Sequence, residues 1–231
     1  MIVHAPAKIN LALYVNQKRR DGFHDIETIF IRLNFGDRIV LTKSDHLKIT
    51  VRPPVVPAGP ENIVHRAATL LANKYDLNPN VHISIRKQIP VGGGLGGGSA
   101  NAAAVVKALL TYWKIKENDK FTRQLLIELG SDVPFCFWGK TSLGRGRGEK
   151  LFPLPLFPRH HVVLVKPPFG VSTALAYGDL GRHLTPPPEK VNLYRRYCAF
   201  LKGKAPLRAL MHNDFEATVF KRHPALRKIR E

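Results

Sequence analysis

The sequence predicts an α+β protein. Strand-forming stretches crowd the chain up to Ile85, helical runs dominate from about Ala100 onward, and the two do not alternate in regular βαβ repeats. With 231 residues the chain is long enough to bury a sizeable core, as one large domain or two small ones.

Ala7 to Val15 is β-prone, with Ile9, Leu11, Leu13 and Val15 on one face and Lys8, Asn10, Ala12 and Tyr14 on the other. A charged turn, Gln17 to Gly22, leads into Phe23-His24. Ile26 to Leu33 and Asp37 to Leu41 read as strands separated by a turn at Asn34 to Gly36, and Leu47 to Val51 alternates as another. Pro53 to Pro60 is a proline-rich loop. Glu61 to Tyr75 follows as a helix, with Ile63, Ala67, Leu70, Leu71 and Lys74 at helical spacing. Val81, Ile83 and Ile85 alternate as a strand directly before a glycine-rich run. Helices are expected from about Ala100 to Trp113, with Ser99 as N-cap, and from Phe121 to Leu129.

Gly130-Ser131-Asp132-Val133-Pro134 then opens the apolar stretch Phe135 to Trp138. Basic Gly144 to Lys150 and proline-rich Phe152 to Pro158 suggest a boundary, giving domains over residues 1–150 and 151–231. His161 to Lys166 reads as a buried-type strand and Ser172 to Tyr177 as a helix. A polar, proline-rich segment runs to about Glu189, and helices follow from Val191.

Composition narrows the function. Apolar content of 44% and charged content of 23% are ordinary for a globular chain. Two cysteines, Cys136 and Cys198, give neither a disulfide framework nor a metal-type spacing, which favours the reducing cytoplasm. No apolar run approaches the roughly 20 residues of a membrane span, and His4, Lys8 and Asn10 interrupt the first one, unlike a signal peptide. The formal charge of +19 suits phosphorylated partners. The basic residues are dispersed and no RNP-like or helix-turn-helix pattern accompanies them, so specific nucleic-acid binding is not expected.

The most informative segment is P-V-G-G-G-L-G-G-G-S-A-N, Pro90 to Asn101. Six glycines around Leu95 strip the loop of side chains, so its backbone can approach a ligand closely. Exposed N–H groups followed by a helix N-terminus make an anion site, for phosphate above all. Gly98 is followed by Ser-Ala without a lysine, so this is not a P-loop. Gly92, Gly94 and Gly97 match G-x-G-x-x-G, yet no following strand ends in an acidic residue at ribose-binding distance.

Asp132 in S-D-V-P is either a helix N-cap or a carboxylate able to take a proton from an attacking hydroxyl. Lys8 is either a solvated strand lysine or, beside a carboxylate, a group that stabilises developing negative charge. His24 beside Phe23 offers a stacking ring and a hydrogen-bonding imidazole.

Taken in order, P-A-K-I-N-L, D-G-F-H-D-I-E-T-I-F, the glycine run and G-S-D-V-P-F resemble the GHMP kinases over nearly the whole chain, together with G-V-S-T-A at Gly170 to Ala174 and H-N-D-F-E at His212 to Glu216. Within that family they resemble the members acting on a cytidine-diphosphate-linked methylerythritol. The resemblance implies a two-domain fold, with an N-terminal ribosomal-S5-like domain and a C-terminal ferredoxin-like domain. It implies transfer of the γ-phosphate of ATP to the 2-hydroxyl of that substrate, with Mg²⁺ alongside the phosphates. Asp132 would then be the base and Lys8 its cationic partner. Pro90, Val91, Gly92, Gly93, Gly94, Leu95, Gly96, Gly97, Gly98, Ser99 and Ala100 would form the ATP phosphate loop. Phe23 and Tyr177 would sandwich the cytosine, His24 would read its edge, and Asn10 and Thr173 would help hold substrate.

Phe23 stands where the family often has Tyr, which preserves stacking. Family members continue into a Met-Ser-Gly-Ser-Gly-like loop that this sequence does not contain, so the second domain is expected to be incomplete. Two rivals remain at this stage: a non-catalytic nucleotide- or RNA-binding protein, and a GHMP kinase for another small alcohol.

Overall fold

A computed structural model describes residues 1–180 and 192–230. The described elements, in chain order, begin with the long strands β1 (Ile2–Lys18) and β2 (His24–Lys43), then β3 (Lys48–Arg52), helix α1 (Ile63–Lys74), β4 (Val81–Arg86) and α2 (Gly97–Tyr112). Helices α3 (Asp119–Leu129) and α4 (Val133–Trp138) and strands β5 (Ser142–Arg145) and β6 (Lys150–Pro153) follow. Then come α5 (Thr173–Leu180), α6 (Leu193–Leu201), a short 3₁₀ turn at Leu207–Ala209, β7 (His212–Asn213), α7 (Glu216–Arg222) and α8 (Pro224–Arg230). The polar segment expected up to Glu189 and the helix start expected at Val191 lie outside the described residues, apart from the segment's first few.

The chain divides into two compact units. Unit 1 comprises Met1–Lys8, Arg32–Val91 and Leu95–Gly139; unit 2 comprises Ile9–Ile31, Gly92–Gly94 and the chain from Lys140 on.

In unit 1 the strand order is β3–β4–β2–β1. β2 and β4 are antiparallel, with Ile39 opposite Ile85, whereas β3 and β4 are parallel, with Val51 opposite Ile85. Helix α1 makes the crossover that a parallel pair requires. The inward row Ile39, Ile85 and Val51 is buried and packs with Val64, Leu71, Val105 and Leu109 of α1 and α2 in one core cluster. Burying each such side chain contributes about 1.5–3 kcal/mol.

Helix boundaries follow local chemistry. The Asn62 side chain accepts from Val64 N at 2.8 Å and starts α1, and Asn118 accepts from Phe121 N at 3.1 Å and starts α3. Pro134 sits in the first turn of α4, which closes on Gly139 at φ 64°.

Unit 2 pairs β7 parallel to the second half of β1, with Ala12 opposite His212, and β5 antiparallel to the first half of β2, with Ile29 opposite Leu143; β6 extends β5. Two apolar clusters fill it, one around Leu11, Ile29, Leu193 and Tyr197, the other around Leu13, Val15, Ile26 and Leu180.

Three sequence expectations are corrected. Asn34 to Gly36 is not a turn, because β2 continues through it. Gly36 is small for another reason: a Cβ there would collide with the Ala5 carbonyl and Pro6 Cα of β1. His161 to Lys166 forms no strand and is exposed, with Val163 87% accessible. Its apolar run has no ladder partner among the described residues, and without one a strand cannot satisfy its backbone. Ser99 is not an N-cap, since α2 already begins at Gly97 behind Gly96.

Candidate active site

In unit 1, β1 carries Lys8 and the N-terminus of α4 carries Asp132. Asp132 holds the N-cap position of α4, yet its side chain makes no capping bond. Instead its Oδ2 lies 3.0 Å from Lys8 Nζ. The pair is asymmetric: the Lys8 side chain is 8% exposed and that of Asp132 31%, so the carboxylate keeps an open side while the ammonium is enclosed.

The glycine run meets this pair directly. Lys8 N donates to Leu95 O at 3.0 Å. Gly96 has φ 68°, and a Cβ there would lie 2.8 Å from Lys8 Cγ and 3.0 Å from Lys8 Cε. Glycine is therefore required at 96 twice over, by its left-handed backbone and by the lysine stem crossing it. Beyond it, Ala100 N makes the first intrahelical bond of α2, to Gly96 O at 2.8 Å. Helix geometry leaves the N–H groups of Gly97, Gly98 and Ser99 without intrahelical acceptors, at the positive end of a 16-residue dipole.

A buried network that sequence reasoning missed holds both ends of this loop. Asp37 is fully buried on β2. Its Oδ1 accepts from Gln88 N at 2.6 Å and Ile89 N at 2.8 Å; its Oδ2 accepts from Asn101 Nδ2 at 2.7 Å and from the Lys87 ammonium. Lys87 Nζ also donates to Asn101 Oδ1 at 3.0 Å. One carboxylate thus ties the residues entering the loop to the first turn of α2. The available signal was an aspartate inside the strand sequence F-G-D-R-I-V, where an unpaired charge would be too costly to bury.

Cys136, on α4 near Asp132, has its thiol pushed up to about 12 by burial and, secondarily, by the Asp132 charge.

Unit 2 holds the other predicted residues. The His24 ring stacks on Tyr177 with centroids 5.3 Å apart and planes 17° from parallel, and Tyr177 meets Phe215 edge-on at 4.8 Å. His24 Nε2 is buried without a hydrogen-bond partner among the described residues. Burial, and then Lys18, lowers the His24 pKa from its ordinary value, which favours the neutral ring. Phe23 is 50% exposed, with the Arg147 guanidinium 4.5 Å from its ring centroid. Asn10 Nδ2 donates to Thr28 Oγ1 at 2.7 Å, and that hydroxyl donates on to Ala12 O at 2.7 Å. Thr173 is exposed at the first position of α5. Gly92 and Gly94 both have φ near +70°, and Gly92 packs against the backbone of Gly170. His24 and Tyr177 are in contact, while Phe23 faces Arg147.

Residues 62–140 match the family description "GHMP kinases N terminal domain". A 4-diphosphocytidyl-2-C-methyl-D-erythritol kinase from Shouchella clausii is 39% identical over 99% of this chain and 77% of the relative's length. The chain belongs to this kinase family. A relative of the same name from Geobacillus kaustophilus is 37% identical over 99% of this chain and 79% of its own length. Among solved structures, a crystal structure of 4-(cytidine 5'-diphospho)-2C-methyl-D-erythritol kinase superposes with a TM-score of 0.78 at 32% identity, covering 100% of this chain and 81% of that one. Homoserine kinase from Cytophaga hutchinsonii, at 19% identity and a TM-score of 0.61 over 94% of this chain and 72% of that one, shares the fold alone. Family membership sets aside the reading as a non-catalytic binding protein. No helix among the described residues is long and apolar enough to cross a membrane.

Proposed function

We propose that this chain transfers the γ-phosphate of ATP to the 2-hydroxyl of 4-diphosphocytidyl-2-C-methyl-D-erythritol, a step in isoprenoid precursor synthesis, and that it works in the cytoplasm. The observation that carries this reading is the Lys8–Asp132 pair at 3.0 Å, beside the glycine run and the N-terminus of α2.

Asp132 takes the proton of the 2-hydroxyl as that oxygen bonds to the γ-phosphorus. The bond from the γ-phosphorus to the bridging oxygen breaks, and ADP leaves. Lys8 offsets charge spreading over the transferring group. The amides of the glycine loop and of Gly97 to Ser99 receive the ATP phosphates. Phe23 and Tyr177 flank the cytosine, and His24 Nε2, without a partner among the described residues, receives a hydrogen-bonding atom from its edge. Asn10 and Thr173 hold the remainder of the acceptor.

Among the described residues no group of three or more histidines, cysteines and carboxylates could hold a metal ion. Mg²⁺ would be carried chiefly by the nucleotide phosphates, as is usual for this ion, with Asp132 as the nearby carboxylate. Bound there, the ion would neutralise phosphate charge.

The test is Asp132→Asn, assayed for ADP release with the cytidylyl substrate and, separately, for ATP binding. Loss of about 10³-fold in kcat is expected for removing a general base, with ATP affinity largely retained. Near-normal turnover would sink the assignment of the base.

A further inference from the structure

Outside the residues assigned above, unit 1 carries a row of three arginines. Arg38 on β2 is the register partner of Arg86 on β4, which is also the register partner of Arg52 on β3. Register partners share a sheet face, and the next row inward along each strand, Ile39, Ile85 and Val51, is the buried one. The arginines therefore stand on the face opposite the helices. All three are exposed. None of their side chains has a carboxylate, hydrogen-bond or ring partner among the described residues.

Like charges directly opposite one another across strands are destabilising, and neighbouring strands lie only about 4.8 Å apart. A sheet that tolerates three in a row, with no acid to neutralise them, retains a cost that an anionic ligand would remove. The row borders an open hollow of about 570 Å³, with Ser84 and Gln88 as neutral polar lining and Val40 as an apolar one. That volume falls within the range of small-ligand sites. Tyrosine, tryptophan and phenylalanine are missing from the lining, so it offers no aromatic ring as a platform for a base.

We propose that this hollow binds the diphosphate group of a small molecule, a site separate from the phosphate loop. Two adjacent phosphoryl groups carry about −3 in charge, which three guanidiniums match, and each guanidinium can grip an oxygen pair through its planar fork. The ligand source is either free pyrophosphate or the diphosphate of a nucleotide.

The experiment is calorimetric titration of the full chain with pyrophosphate, orthophosphate or ADP, in the presence of a saturating non-hydrolysable ATP analogue that keeps ADP out of the phosphate loop. The wild type is compared with Arg38→Gln/Arg52→Gln/Arg86→Gln. The expected result is saturable pyrophosphate binding, weaker for orthophosphate, with Kd raised at least tenfold in the triple variant. Equal binding of ADP and pyrophosphate assigns the site to diphosphates generally, and failure of ADP to bind restricts it to the free anion. Thermal melts of both proteins at low salt, without ligand, check that the variant is folded, and relief of repulsion should leave it at least as stable as the wild type. Unchanged pyrophosphate affinity in the folded variant would overturn the proposal. So would an inert pyrophosphate together with oligouridylate binding whose log–log salt slope falls by about 2 in the variant, as loss of three single-strand phosphate contacts requires. Neither outcome depends on turnover, so the kinase reading stands or falls separately.

Discussion

Substituting Gly96 by alanine should disable catalysis through Lys8, and the size of the effect follows from two distances. At φ 68° the new methyl group lies 2.8 Å from Lys8 Cγ and 3.0 Å from Lys8 Cε. Carbon atoms settle at about 3.5–4.0 Å, so the lysine stem must retreat by roughly 1 Å. Its side chain is 8% exposed, which leaves it little free space to retreat into, and the 3.0 Å contact with Asp132 must stretch. A misplacement on the order of 1 Å costs about 10²-fold in rate. The left-handed backbone adds about 1–2 kcal/mol of strain to the folded state. Gly203→Ala separates these effects, because Gly203 has nearly the same φ, 67°, with open space where its Cβ would stand. Steady-state ADP release and thermal melts of both variants are the assay. Both should melt lower, by roughly 2–8 °C from backbone strain alone, whereas only Gly96→Ala should lose about 10²-fold in kcat. Wild-type kcat in Gly96→Ala would refute the claim that Lys8 must sit where the structure has it.

Asp37→Ala leaves the Lys87 ammonium buried without its carboxylate, so it should cost about 3–5 kcal/mol, with Asp37→Ala/Lys87→Met recovering much of that; chemical denaturation decides, and additive losses would contradict a coupled pair. Cys136, with its thiol pushed up to about 12, should resist iodoacetamide at pH 8 until the protein is unfolded; rapid native alkylation of Cys136, mapped by mass spectrometry, would show the thiol to be accessible and ionisable. His24, whose pKa is lowered in the folded protein, resists a proton that the unfolded chain accepts below about pH 6.5. Its contribution to stability is therefore complete above that pH and declines as pH falls toward the folded value. His24→Ala should raise KM for the cytidylyl substrate about 5- to 100-fold, the worth of a buried hydrogen bond, and should flatten the rise in KM on acidification; an unchanged KM would remove His24 from recognition.

Much of this molecule was legible in the chain. Alternation marked the strands around Ile9, Ile49 and Ile83, and the glycine run followed by an alanine-rich segment marked the loop and α2. What failed did so for identifiable reasons. Gly36 looked like turn chemistry because sequence cannot show that Ala5 presses on it from a strand about thirty residues earlier. His161 to Lys166 looked like a buried strand because an apolar run says nothing of whether a ladder partner exists. Ser99 looked like a cap because Gly96, in a left-handed conformation, starts the helix without any side chain. Within the candidate site, Lys8 and Asp132 were singled out by residue type and setting. The Asp37 network joins residues 37, 87 and 101, and only the paired strands and α2 bring those positions together.

Because Asp37 fastens the amides of Gln88 and Ile89, the chain's dynamics should change abruptly within a few residues. Those two protons should exchange with solvent only on global opening, while amides a short step further, among bare glycines, exchange freely. Such a loop is hinged at a fixed post: pliant enough to wrap an incoming anion, yet always returning to the same starting point.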